Sequence, residues 1–180
     1  MKRLFTAERK PAPKTEKWKS AESTRADFEE QLRQMYWCER TLAESLPTLS
    51  KLATSYELTT AILAHLAVTE NQIIRLIHVF DAIGERATGH RCEDREKIMA
   101  LHENVELIDS GYFRDSAIIT FAQQLMQHEV STYGKLHAMA VKLGEDLAAE
   151  FLALAIKEEQ NAFSRLNEIR LSSIYFDAAS

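Results

Sequence analysis

Apolar residues recur at helical spacing in four long stretches of the chain. Phe28, Leu32, Met35, Leu42 and Leu46 define the first stripe, and Leu58, Ile62, Leu66, Thr69, Ile73, Leu76 and Phe80 the second. Ile118, Ala122, Leu125, Tyr133, Leu136, Ala140 and Leu143 define a third, and Ala149, Leu152, Ile156, Ala162, Leu166 and Ile169 a fourth. Steps of three and four place each set on one face of a helix. Ser23 or Thr24 is the expected cap of the first helix, with Pro47 near its end, and Gly84 and Gly144 are the expected left-handed stops of the second and third. Short links join helix one to two and helix three to four. The connection of about 85–112 is long and holds a weaker helical pattern over roughly 93–109. These features predict an all-α, antiparallel four-helix bundle of ferritin-like type, with a long crossover between helices two and three and a short extra helix within it.

Composition supports this reading. Only 5 Gly and 3 Pro occur in 180 residues, so turn-rich β architectures lack raw material. No apolar run is long enough for a membrane span, and the N-terminus lacks the apolar core of a secretory signal. Cys38 and Cys92 form no metal spacing, and the expected compartment is the cytoplasm.

Charge is uneven. Residues 1–22 carry seven basic against three acidic residues, a net +4, which leaves −9 on the rest of a chain whose total is −5. With Pro11 and Pro13, this segment reads as a disordered basic tail ahead of a bundle over 23–172, with a second tail at 173–180. Contact between the basic tail and nucleic acid is not the favoured reading, because no aromatic pattern suits base stacking and the body is acidic.

Three carboxylates interrupt the apolar stripes: Glu39 between Met35 and Leu42, Glu129 between Leu125 and Tyr133, and Glu159 between Ile156 and Ala162. Glu158 sits on a neighbouring arc. A buried carboxylate must be paired, protonated or metal-bound. One explanation is that each pairs with a cation near the bundle surface. The other is a metal site, since bundle-core centres draw Glu and Glu-x-x-His from facing helices. No Glu-x-x-His occurs in the main helices, and His128 cannot share a face with Glu129. A one-ion site from Glu39, Glu129, Glu159 and His65 stays open, as does the orientation of His65. Tyr36, Trp37, Phe80 and Tyr133 read as core or dimer-contact aromatics. His90-Arg91-Cys92 is a weak metal candidate, and no phosphate loop, nucleophile elbow or CxxC is present.

Four segments resemble the YciE/YciF-like ferritin-like family over about 28–170. FEEQLRQMYWCERTLAESLPTLSKLA is similar to the family's opening helix, and HLAVTENQIIRLIHVFDAIGE to H-L-x-E-T-x-x-Q-x-x-R-L-x-x-V-F. FRDSAIITFAQQLMQHEVSTYGKLHAMAVKLG resembles R-D-x-x-L-I-x-x-A-Q-x-x-E-H-Y-E-I-x-x-Y-G, and LALAIKEEQNAFSRL resembles L-x-E-E-x-x-x-D-x-x-L. The resemblance implies a carboxylate-rich dimetal centre, an association with stress responses and a homodimer. Glu39, Glu129, Glu158 and Glu159 match the family's acidic positions. Val68, Met126 and Phe163 stand where the family has Glu, Glu and Asp, and Gln127 where it has His. The expectation is therefore a degenerate dimetal site and a non-catalytic, stress-associated or structural protein with no bound cofactor. The alternative is a carboxylate-bound iron or manganese protein with oxidoreductase or metal-handling activity. A protein partner is compatible with the first reading; a membrane is not expected.

Overall fold

The structure is a computed structural model of the chain. It describes the backbone of residues 14–91 and 104–177, and side chains from 22 to 91 and 104 to 172. Four long helices form it: α1 (Lys14–Leu52), α2 (Tyr56–Ala82), α3 (Tyr112–Leu143) and α4 (Asp146–Asp177). None of the described helices is long and apolar enough to cross a membrane.

Two boundaries differ from expectation. α1 begins at Lys14 rather than at a cap on Ser23 or Thr24, so residues 14–22 of the expected tail are helical. Residues 14–22 contain neither Gly nor Pro. Continuing the helix satisfies backbone groups that a new start at residue 23 would orphan. Thr24 instead accepts a hydrogen bond from Lys142 Nζ of α3 (2.9 Å). At the other end α4 continues to Asp177, through much of the expected tail at 173–180. Residues 1–13 lie outside the described residues, as does most of the expected crossover helix; residues 104–106 are helical.

Contacts fix the topology. Glu39 of α1 meets Tyr133 of α3, and Thr24 meets Lys142, so these helices are antiparallel. α2 runs against α4, with Gln72 beside Glu159 and Leu76 beside Leu152. The tight Ala53–Ser55 link reverses α1 into α2, and Gly144, at φ 75°, reverses α3 into α4. The order is up-down-down-up. Because α2 and α3 point the same way, the connection between them must return along the bundle. Its described part does so over α1. Glu85 pairs with Arg33 (3.1 Å), the His90 N–H donates to the Arg33 carbonyl, and Gly89 packs so closely on Trp37 that an added Cβ would lie 2.9 Å from the ring.

Two apolar clusters fill the interior. One gathers Phe28, Leu32, Tyr36, Phe80, Tyr133 and Leu152; the other gathers Leu46, Leu58, Ile62, Ile118, Met126 and Leu166. The fourth stripe is rotated from its sequence reading. Ala148, Leu152, Ala155, Leu166 and Ile169 are buried, while Ala149, Ile156 and Ala162 are only half-buried.

Asp115 locks the open end of the bundle. Its Oδ1 accepts from the Thr54 N–H (2.7 Å) and its Oδ2 from the Ser55 N–H (2.8 Å), while Thr54 Oγ1 accepts from the Gly111 N–H. Hydrogen bonds to a charged acceptor at a partly wet site contribute about 1–2 kcal/mol together. Asp115→Ala is expected to lower the unfolding free energy by that amount in urea titrations. An unchanged midpoint would refute the clamp.

Candidate metal centre

The polar layer lies between the two apolar clusters. Glu39 (α1), Glu129 (α3) and Glu159 (α4) are each at most 2% exposed. The rotation that half-exposes Ile156 and Ala162 turns Glu159 fully inward. His65 is 6% exposed, which settles its orientation toward the core. Its steps from Ile62 and Thr69 put it on the buried face of α2. His65, Glu129 and Glu159 each place one possible ligand atom within 4.8 Å of the other two.

Each carboxylate meets a different environment. The Tyr133 hydroxyl, one turn beyond Glu129 on α3, donates to Glu39 Oε1 at 2.5 Å. Gln72 Nε2 donates to Glu159 Oε1 (2.8 Å) and more weakly to Glu158 Oε2 (3.3 Å). His65 Nε2 stands 3.9 Å from Glu159 Oε2, too far for a hydrogen bond. Glu39 Oε2, Glu159 Oε2, His65 Nδ1, Thr69 Oγ1 and Gln72 Oε1 are buried with no hydrogen-bond partner. Orphaned buried polar atoms cost on the order of 1–3 kcal/mol each, so their concentration in one layer needs a cause.

Electrostatics gives the same picture. Burial, reinforced by the charge of Glu159, pushes the Glu39 carboxyl up to about 8, against a smaller opposing effect of the Tyr133 hydrogen bond. Burial holds the His65 imidazole below its ordinary range, with Glu159 opposing. Burial also drives the Tyr133 phenol well above its ordinary range, helped by the Glu39 charge. The layer therefore contains a neutral imidazole, a carboxyl inclined to stay protonated, and more acidic groups than a buried site tolerates without a cation.

Of the four acidic positions matched to the family, the structure brings Glu39, Glu129 and Glu159 into this layer. Glu158 lies toward the rim, where Arg75 of α2 pairs with it. Burial raises its pKa and Arg75 opposes that rise. Arg75 Nη2 is thus committed to Glu158. The three replaced positions do not form a closed apolar plug. Val68 and Phe163 are half-buried and Met126 is buried. Val68 and Met126 line a cavity of about 330 Å³, and Met126 and Phe163 line a second of about 240 Å³. Gln127 and His128 face outward, as their spacing requires. His90, the described member of the loop candidate's His-Cys pair, instead places Nδ1 2.7 Å from Glu30 Oε1; Cys92 lies outside the described residues.

The donor set suits a divalent transition ion. Neutral imidazole and carboxylate oxygens from separate helices are ordinary ligands for manganese, iron or zinc. Ligand atoms around an ion at about 2 Å are roughly 3.5 Å apart. The 4.8 Å spread therefore needs about one ångström of closure, within reach of side-chain adjustment alone.

Comparison with known proteins identifies the family. The profile described as "Domain of unknown function (DUF892)" matches residues 23–178. Protein YciF of Escherichia coli (strain K12) is 27% identical over 145 residues, covering 79% of this chain and 87% of that protein. The crystal structure of the Escherichia coli stress protein YciF superposes with a TM-score of 0.80 at 27% identity, covering 84% of this chain and 97% of that one. YcfI from Rhodopseudomonas palustris superposes with a TM-score of 0.77 at 31% identity, covering 80% and 92%. The profile spans most of the chain and the helices correspond in order, so the chain belongs to the YciE/YciF-like family, the group described as a domain of unknown function (DUF892).

Proposed function

We propose that this chain is a ferritin-like bundle protein in which the family's dimetal centre has been reduced to a site for a single divalent cation. His65, Glu129 and Glu159 would hold the ion, with Glu39 alongside. The observation that carries this reading is the convergence of those three buried side chains from α2, α3 and α4, beside orphaned carboxylate oxygens on Glu159 and Glu39. The ion would supply the positive charge the layer lacks and tie three helices together. Tyr133 and Gln72 would orient the carboxylates. The role is structural or metal-holding and non-catalytic, because the positions that would complete a second site are Val68, Met126 and Phe163. The stress-protein description of the Escherichia coli relative motivates a stress-associated setting, and the cysteine usage makes the cytoplasm its expected compartment. A homodimer is part of the same family-level reading.

The test is a titration of chelator-treated protein with manganese(II), and anaerobically with iron(II), followed by calorimetry. One equivalent should bind, and Glu159→Gln should weaken it at least tenfold while leaving helix content unchanged. Two equivalents with turnover of oxygen or peroxide would instead establish the oxidoreductase reading. No binding would leave the protonated Glu39 and its hydrogen bonds as the whole account of the layer.

A further inference from the structure

The groove between α2 and α4 is filled along one half and hollow along the other. Beside Leu76, Val79, Phe151 and Leu152 the free space is about 10 Å³. Past Gln72 toward the Leu46 end it opens to about 330 Å³. Protein interiors rarely leave such space, because lining atoms forfeit contacts across it. Here the cause is local. Ala61, Ala122 and Ala162 are small, and Val68 occupies the position where the family pattern has Glu. Thr60, Ala64, Asn161 and Arg165 form an exposed mouth, so a small molecule has a path inward.

The walls are mostly apolar, with His65 buried at the inner end, Glu158 half-buried at one side, and Thr60, Asn161 and Arg165 confined to the mouth. Leu46, Leu49, Ile62, Met126 and Leu166 surround the space, and the His65 ring forms part of the inner wall with Nδ1 lacking a partner. Charge selects against ions at that inner end. A carboxylate head would meet Glu158 in the wall and Glu159 behind the imidazole, and an ammonium would have to leave water for mostly aliphatic walls whose one lining carboxylate, Glu158, is already paired with Arg75. A neutral hydroxyl or carbonyl could pair with the imidazole at little cost. An apolar cavity near 150 Å³ takes up benzene, so this one accommodates a body of roughly twice that size.

We infer that this cavity is a binding site for an uncharged bicyclic aromatic or comparably sized apolar molecule bearing one hydroxyl or carbonyl group, which is placed against His65. The site does not depend on a bound cation, because the apolar walls supply most of the contact and His65 Nε2 is the nitrogen nearest Glu159.

The test uses full-length protein with 2-naphthol as the probe and naphthalene as its control, by intrinsic probe fluorescence and methyl NMR. 2-Naphthol should bind with micromolar affinity and shift the Met126, Leu46 and Leu166 methyl signals. Ala162→Phe, which fills the cavity from α4, should weaken both probes more than tenfold. His65→Leu should weaken 2-naphthol severalfold while sparing naphthalene. Should Ala162→Phe fail to fold, the methyl shifts and the His65→Leu contrast decide the matter. Absence of binding, binding that spares those methyls, or equal loss of both probes in His65→Leu would overturn the inference. So would uptake seen only when sedimentation shows a dimer dissociating, because a second copy would then be the occupant. Unchanged titrations in a chelator separate this result from failure of the cation site.

Discussion

In chelator-treated protein, the unfolding free energy should fall as pH rises from about 6.5 to about 8, and Glu39→Gln should abolish most of that fall. Glu39 is fully buried, and its folded-state pKa of about 8 lies well above the ordinary carboxyl value of 4.5. Its sign follows directly. Below 4.5 both states hold the proton and burial costs little. Between 4.5 and 8 the unfolded chain releases the proton while the folded chain retains it, so stability declines with pH. The full window corresponds to a loss on the order of 5 kcal/mol. Facing groups are Tyr133 on α3, Glu158 and Glu159 on α4, and Arg75 on α2. His65 acts in the opposite sense. Its depressed pKa makes stability rise with pH up to about 6.5, which is why the upper part of the window isolates Glu39. Glu158 shares the sign of Glu39 but is partly exposed and paired with Arg75, so its effect is smaller and should survive in Glu39→Gln. Denaturant titrations at pH 6.5 and 8.5 on both proteins give the comparison. A flat wild-type profile, or equal slopes in the two proteins, would show that Glu39 is ionised in the fold.

The parts of this picture legible in the sequence are those that depend on one helix at a time. Glu39 and Glu129 interrupt stripes whose phase is unambiguous, and both are buried. Glu158 and Glu159 are adjacent, about 100° apart around the helix, so one must turn inward and the other toward the rim. Which does which was set by the rotation of α4 and by Arg75 on α2, neither of which is visible from α4 alone. His65 was readable in principle, being three residues from Ile62 and four from Thr69, but its role depends on Glu159 from another helix. Tyr133 looked like a core aromatic and is one; its hydroxyl found Glu39 only through the α1–α3 packing. The start of α1 was misplaced because Ser23 and Thr24 carry a cap signal that uninterrupted helical propensity upstream overrides. The cavity had no signature in any single stretch, because it is the sum of small residues contributed by three helices.

Restoring the family's acidic pattern is the sharpest test of what sets the number of ions. A chain carrying Val68→Glu, Met126→Glu and Phe163→Asp should bind two equivalents of manganese(II), against the one expected for the parent. Space permits it: Val68 and Met126 border the 330 Å³ cavity, and Met126 and Phe163 the neighbouring one of 240 Å³. Without metal the variant should be less stable than the parent by about 3–5 kcal/mol at neutral pH, the usual cost of an uncompensated buried charge. Met126 dominates that cost, being 3% exposed, while Val68 and Phe163 have partial access to water. Saturating manganese should recover much of the loss, because an ion that binds only the folded state stabilises it by mass action. Elemental analysis with thermal unfolding, in chelator and in excess metal, measures both effects. If stoichiometry stays at one while metal-free stability falls as expected, the added carboxylates are buried but do not converge, and the reduction to one ion must lie in helix packing rather than in these three residues. If the parent itself takes two ions, Val68, Met126 and Phe163 are not what limits the centre, and the reading of a reduced site fails with them.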